Sequence, residues 1–196
     1  PPFMGDTSAQ FVVRYWGVRG SIPTPGPETV RYGGNTTCLE FRCDDQVFVI
    51  DTGTGARGLG ASLQQQAGSE PLNTTILYSH HHLDHVQGFP FFIPVYSPKN
   101  TLNVYSGAGP DTTQSVLKSQ MTYPSFPVGL DSLPANIQFH NFEPGQTLEF
   151  GDVKIETCAL NHPGGPVAYR VNHRGHSFVQ ASDTEHEGEE PDARLV

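Results

Sequence analysis

Ser79-His80-His81-His82-Leu83-Asp84-His85 decides the reading of this chain. It sets four imidazoles and one carboxylate into the six positions from 80 to 85. The run before it, Thr74-Thr75-Ile76-Leu77-Tyr78, is apolar and β-branched and predicts a short buried strand. The segment after it, Val86-Gln87-Gly88-Phe89-Pro90, is punctuated by glycine and proline. The cluster therefore sits where a strand ends and the chain turns, where a rigid element can fix the ligands of a loop. Neutral imidazole and carboxylate are the nitrogen and oxygen ligands that Zn²⁺ takes. Near a strand end His80 and His82, at i and i+2, point the same way and reach one ion, while His81 points away. Asp84 and His85 follow the turn and reach a second position close by. The blander alternatives are a solvated polar loop or a purification tag. A tag is a longer, pure histidine run at a terminus; this run is internal, follows a strand and ends in Asp-His.

On the N-terminal side, residues 11–16 read as a first strand. Residues 17–27 form a turn-rich loop that either lines a site mouth or simply connects elements on the surface. Within it Arg19 and Ser21 could meet a substrate anion. Residues 37–41 and 46–50 pair as a hairpin across Cys43-Asp44-Asp45. Asp51-Thr52-Gly53-Thr54-Gly55 lacks the lysine of a P-loop and the full dinucleotide fingerprint. Asp51 reads better as a buried strand-end carboxylate that supports the neighbouring loop by hydrogen bonds. Residues 56–66 form a helix closed by Gly68.

On the C-terminal side, the aromatic run 89–96 reads as core packing beneath a loop, ahead of a substrate wall. A strand over 101–106 and a helix over 109–121 follow. Residues 123–134, rich in proline and aromatics, suit a lid or rim. Strands over 138–142, 147–150 and 153–160 lead to Asn161-His162-Pro163-Gly164-Gly165. His162, at a strand end before a tight turn, repeats the logic of the histidine cluster and is the expected third ligand of the first ion. Residues 167–171 and 176–181 pair around Asn172-His173-Arg174-Gly175, with His173 and His176 as exposed turn residues. The chain then reaches Ser182-Asp183-Thr184-Glu185-His186, where Asp183 is a strand-end carboxylate able to bridge two ions.

The 196 residues suffice for a single domain with a real core, spanning 1–196. Its 21 glycines and 17 prolines favour many short elements over a helical bundle. No apolar run is long enough to cross a membrane as a helix. The first residues have neither a basic nor an apolar signal region, and the missing Met at position 1 suggests an excised domain. A net charge of −9, with scattered arginines, makes long nucleic acid a poor partner. Cys38, Cys43 and Cys158 are an odd, sparse set with no Cys-x-x-Cys pair. They read as reduced thiols of a cytoplasmic protein, with Cys38 and Cys43 on opposite faces of one strand.

His80-x-His82-x-Asp84-His85 resembles the metal-binding signature of the metallo-β-lactamase superfamily. Asp51, His162 and Asp183 extend the resemblance in the same order over about residues 14–186. Gly-Val-Arg-Gly-Ser-Ile-Pro, Leu-Asn-His-Pro-Gly-Gly and Ser-Asp-Thr-Glu-His look like its phosphodiesterase-like branch, which includes carbon–phosphorus-lyase accessory and transfer-RNA-processing enzymes. The antibiotic-degrading branch typically has Cys in place of the bridging Asp. The resemblance implies an α/β (α+β) fold, the αββα sandwich, with its C-terminal part missing here, along with a further histidine ligand. It implies that His80, His82 and His162 hold one metal, Asp84 and His85 the second, with Asp183 bridging. Two zinc ions per chain are expected, with manganese or iron as alternatives. The di-iron branch usually has Glu where His82 stands.

The function so implied is a binuclear zinc phosphodiesterase acting on a small phosphodiester or cyclic nucleotide by metal-activated hydroxide. Asp84 would be the catalytic residue that orients or deprotonates the water, and His186 is a candidate acid. A glyoxalase II-type thioesterase or lactonase shares the same ligands. A non-catalytic metal-binding sensor is the rival of a different class. A homo-oligomer is compatible with an uncovered edge strand.

Overall fold

The structure is a computed structural model that describes residues 11–186. A six-stranded sheet is built from β1 (Phe11–Gly17), β2 (Cys38–Cys43), β3 (Gln46–Ile50), β4 (Asn73–Tyr78), β5 (Thr101–Ser106) and β6 (Asn136–Asn141), in that spatial order. The first three strands pair antiparallel, and β3 to β6 run parallel. Parallel neighbours need a crossover. Helix α1 (Ala56–Ala67) supplies it between β3 and β4, and α3 (Pro110–Gln120) between β5 and β6. A second sheet of β7 (Thr147–Phe150), β8 (Val153–Ala159), β9 (Val167–His173) and β10 (His176–Gln180) is antiparallel throughout, ordered β10-β9-β8-β7.

Two apolar layers follow from strand periodicity. Val49, Ile76 and Val104 lie in register across β3, β4 and β5 and face Leu59 and Leu63 of α1 and Leu117 of α3. The alternate residues Ile50 and Leu77 face the second sheet and meet Ile155, Tyr169 and Val171. Cys38 and Cys43 fall into different layers, as their spacing requires, and both are buried free thiols. In β8, Val153 and Ile155 point inward while Lys154 and Glu156 are exposed. The described residues thus form a helical layer and two sheets, three layers of the sandwich. No described helix is long and apolar enough to cross a membrane.

Three expectations change in detail. His173 is buried, closes β9, and pairs its Nε2 with Asp44 at 3.2 Å. It is not the exposed turn residue that Asn-His-Arg-Gly suggests, because the β2–β3 turn folds over it; His176 is exposed. Residues 126–128 do not cover the histidine cluster. They border a separate apolar cleft of about 500 Å³ with Arg57, Phe91 and Tyr96. In the aromatic run, Phe89, Phe92 and Val95 are core, while Phe91, Ile93 and Tyr96 stay exposed along that cleft.

Candidate metal centre

The carboxyl ends of β3 and β4 lie side by side, and the loops leaving them meet the loops after β8 and β10. Asp51 ends β3 and is fully buried. Its Oδ1 accepts the Ser79 N–H at 2.8 Å, and its Oδ2 accepts from Ser79 Oγ and His85 Nδ1, each at 2.8 Å. His85 lies on a single helical turn, α2 (Leu83–Val86). That turn is pressed so close to the Asp51 loop that a Cβ at Gly53 would fall 2.2 Å from the Asp84 carbonyl oxygen. Only glycine permits this approach.

These hydrogen bonds fix the imidazole tautomers. Ser79 Oγ has one proton and gives it to Asp51. His80 Nδ1, 3.1 Å from the same oxygen, must therefore be the donor there. The Nε2 of His80 is left as a bare acceptor. It is buried without a hydrogen-bond partner and faces Asp183 Oδ2, another acceptor, at 3.7 Å. Burial and the neighbouring charge of His85 hold the His80 pKa down to about 4, so it is a neutral ligand at physiological pH. His85 goes the other way. Burial works against its charge, but the Asp51 hydrogen bond and the charges of Asp51, Asp84 and Asp183 raise it to about 9. Its Nε2 lies 2.6 Å from Asp183 Oδ2 and 3.6 Å from Asp84 Oδ2.

His80, His82 and His162 form one ligand group, and His80, His85 and Asp183 form an adjoining one. Asp183 Oδ2 lies within reach of both His80 Nε2 and His85 Nε2, at 3.7 and 2.6 Å. His82 and His162 approach within 3.4 Å, from Nδ1 to Nε2. Asp84 stands beside the second group, with one oxygen held by the Ser21 N–H at 2.8 Å. His81 turns away toward Tyr78, 5.6 Å between ring centroids. Ser21, Asp51 and Asp183 all have positive φ, at 67°, 60° and 55°. Non-glycine residues in this region are uncommon and collect at functional sites.

Sequence reasoning missed two supports. Glu185 Oε1 lies 3.0 Å from His162 Nδ1 and orients that ring, and Asn161 and Glu185 exchange two backbone-anchored hydrogen bonds. Ser79 links both halves of the centre. Glu185 lay in a quoted motif, but nothing local ties it to a residue 23 positions away. His186 is exposed.

The donor set fits divalent metal. An orphaned buried imidazole nitrogen faces a carboxylate oxygen across a gap that suits an ion bound at ~2.0–2.2 Å from each. The residues that would hold metal are His80, His82, His162, His85, Asp183 and Asp84.

The family model described as a Beta-lactamase superfamily domain matches residues 46–195. The chain belongs to the β-lactamase superfamily. Superfamily relatives include Exodeoxyribonuclease WalJ of Streptococcus pneumoniae, 29% identical over 153 residues, covering 77% of this chain and 50% of that protein. The chain thus spans about half the length of the curated relatives it matches. Among solved structures, the metallo-β-lactamase fold protein YhfI of Bacillus subtilis superposes with TM-score 0.64 at 19% identity, over 90% of this chain and 63% of that one. The short form of human tRNase Z gives 0.58 at 16%, over 90% and 71%. A diphosphatase of the PhnP family gives 0.50 at 19%, over 70% and 49%. These likenesses establish the metallo-β-lactamase fold.

Proposed function

We propose that this superfamily member is a metal-dependent phosphodiesterase with two zinc ions per chain, acting on a small phosphodiester or cyclic nucleotide. The observation that carries the proposal is the pair of adjoining ligand groups sharing His80, with its orphaned Nε2 aimed at Asp183. Two divalent ions there would supply Lewis acidity toward a phosphoryl oxygen and lower the pKa of a water toward neutrality. The chain's own residues do the rest. Asp51 and Ser79 hold the Nδ1 protons of His80 and His85, so that each Nε2 faces the site; on His85 a bound ion would displace the Nε2 proton shared with Asp183. Asp84, with one oxygen tied to Ser21, keeps the other for orienting a water or taking its proton.

Attack at phosphorus is favoured over thioester or lactone hydrolysis by the names of the relatives: an exodeoxyribonuclease, a tRNase and a diphosphatase. The net charge of −9 favours a small substrate over a long polyanion. A sparse, odd set of three cysteines with no Cys-x-x-Cys pair suits a cytoplasmic location. A panel of bis(p-nitrophenyl) phosphate, a cyclic nucleotide, a chromogenic thioester, a lactone and a single-stranded oligonucleotide tests the proposal. Preference for the first two supports it. Preference for the thioester or lactone overturns it, and faster oligonucleotide cleavage makes the protein a nuclease.

A further inference from the structure

The loop between β1 and β2 forms one wall of a cavity of about 160 Å³ whose other walls include Asp84, His85, Gln180 and Asp183. Three contacts fix this wall. A Cβ at Gly17 would fall 1.8 Å from the Thr36 carbonyl oxygen, so the chain passes Thr36 only as glycine. The backbone N–H groups of Val18 and Arg19 both donate to the Asn35 carbonyl at 3.0 Å. Ser21, at φ 67°, turns its N–H onto Asp84 Oδ2 at 2.8 Å. The backbone of Arg19 is thereby held between two anchors, one of which is a residue of the metal centre.

Arg19 is the sole lysine or arginine among the residues lining this cavity. Its side chain is exposed and makes no ion pair among the described residues. Arg14, Arg42, Lys118, Lys154, Arg170 and Arg174 pair with carboxylates, whereas Arg31, Arg57 and Lys99, which like Arg19 make no ion pair among the described residues, do not line this cavity. The two carboxylates of the same cavity each have one oxygen held by a neighbour other than Arg19, Asp84 Oδ2 by the Ser21 N–H and Asp183 Oδ2 by His85. An uncompensated guanidinium on a preorganised wall beside a metal centre is built for an anion. Its planar fork matches two phosphoryl oxygens at once.

We propose that Arg19 is the anion-binding residue of this site, receiving substrate phosphoryl oxygens through its guanidinium; this rests on the phosphodiesterase reading. The test titrates inorganic phosphate into the metal-loaded full chain by calorimetry, comparing wild type, Arg19→Ala and Arg19→Lys. Metal content is measured on each sample. Arg19→Ala weakens phosphate binding about 10- to 100-fold with metal content unchanged, the loss of charge-assisted hydrogen bonds. Arg19→Lys lies between, because it keeps the charge and loses the fork. With bis(p-nitrophenyl) phosphate, Arg19→Ala raises KM more than it lowers kcat. Equal phosphate affinity in wild type and Arg19→Ala overturns the proposal, as does a wild type that binds no phosphate. Loss of metal in Arg19→Ala overturns it too, by assigning Arg19 to the framework. If the wild type cleaves thioesters and no phosphodiester, the phosphodiesterase reading fails alone, and the phosphate titration still decides Arg19.

Discussion

Asp51→Asn changes one atom at the junction of both ligand groups. The amide oxygen can keep the Ser79 N–H that Oδ1 accepts at 2.8 Å. The amide nitrogen then takes the place of Oδ2, where Ser79 Oγ and His85 Nδ1 both donate. Ser79 Oγ can accept from the new amide and turn its proton to His85 Nδ1, 3.2 Å away. That network closes only if His85 swaps tautomer, with Nδ1 bare and Nε2 protonated. Nε2 is the atom that faces Asp183, and a protonated nitrogen has no lone pair for a metal. Disturbing such a support typically costs about 10- to 100-fold in metal affinity, here at the His85–Asp183 position. Losing the buried carboxylate costs about 3 kcal/mol of folded stability on top. His82 and His162 do not touch Asp51, so the other position should lose little. Chelator competition with metal counting reads the two affinities, and ¹⁵N NMR of the imidazoles reads the tautomer. Two ions bound as tightly as in wild type, with His85 still protonated at Nδ1, would refute the reasoning.

Gly53→Ala forces a Cβ to within 2.2 Å of the Asp84 carbonyl and 2.5 Å of the Thr37 carbonyl, and should cost about 2–3 kcal/mol; an unchanged denaturant midpoint would contradict this. Tyr169→Phe removes the buried hydroxyl that donates to the Tyr78 carbonyl at 2.6 Å, for a loss of about 1–2 kcal/mol in urea unfolding. Burial, aided by Asp44 and Asp152, pushes the Cys43 thiol up from 9.0 to about 12, and burial raises Cys38 as well. The unfolded chain releases these protons first, so this contribution is complete below pH 9 and falls as pH rises toward 12, by at most about 1.4 kcal/mol per unit for Cys43, with Cys38 acting in the same direction. Urea unfolding as a function of pH checks this, and a Cys43→Ala variant with the same alkaline slope as wild type would contradict it.

Strand positions were legible because each strand carries its own local signal. Val153 and Ile155 alternate with Lys154 and Glu156, and that pattern alone orients β8. The histidine cluster was legible for the same reason: its ligands are crowded into one turn. What sequence could not supply were partners brought by packing. Glu185 reaches His162, and Ser21 reaches Asp84 across 63 positions. The Asn-His-Arg-Gly turn looked solvated because nothing local shows that Asp44 folds onto His173. The proline-rich stretch near residue 126 gave no direction either. Its place beside Arg57 and Phe91, away from the centre, is set by the packing of α1 and the 89–96 segment.

Metal stoichiometry tests the central claim most directly. The full chain, purified without added metal and then loaded with zinc, is counted by native mass spectrometry beside His82→Ala and His85→Ala. Two ions in wild type, and one retained in each variant, is the predicted result. One ion or none in wild type, or counts unchanged by both substitutions, would contradict a binuclear centre built on these histidines.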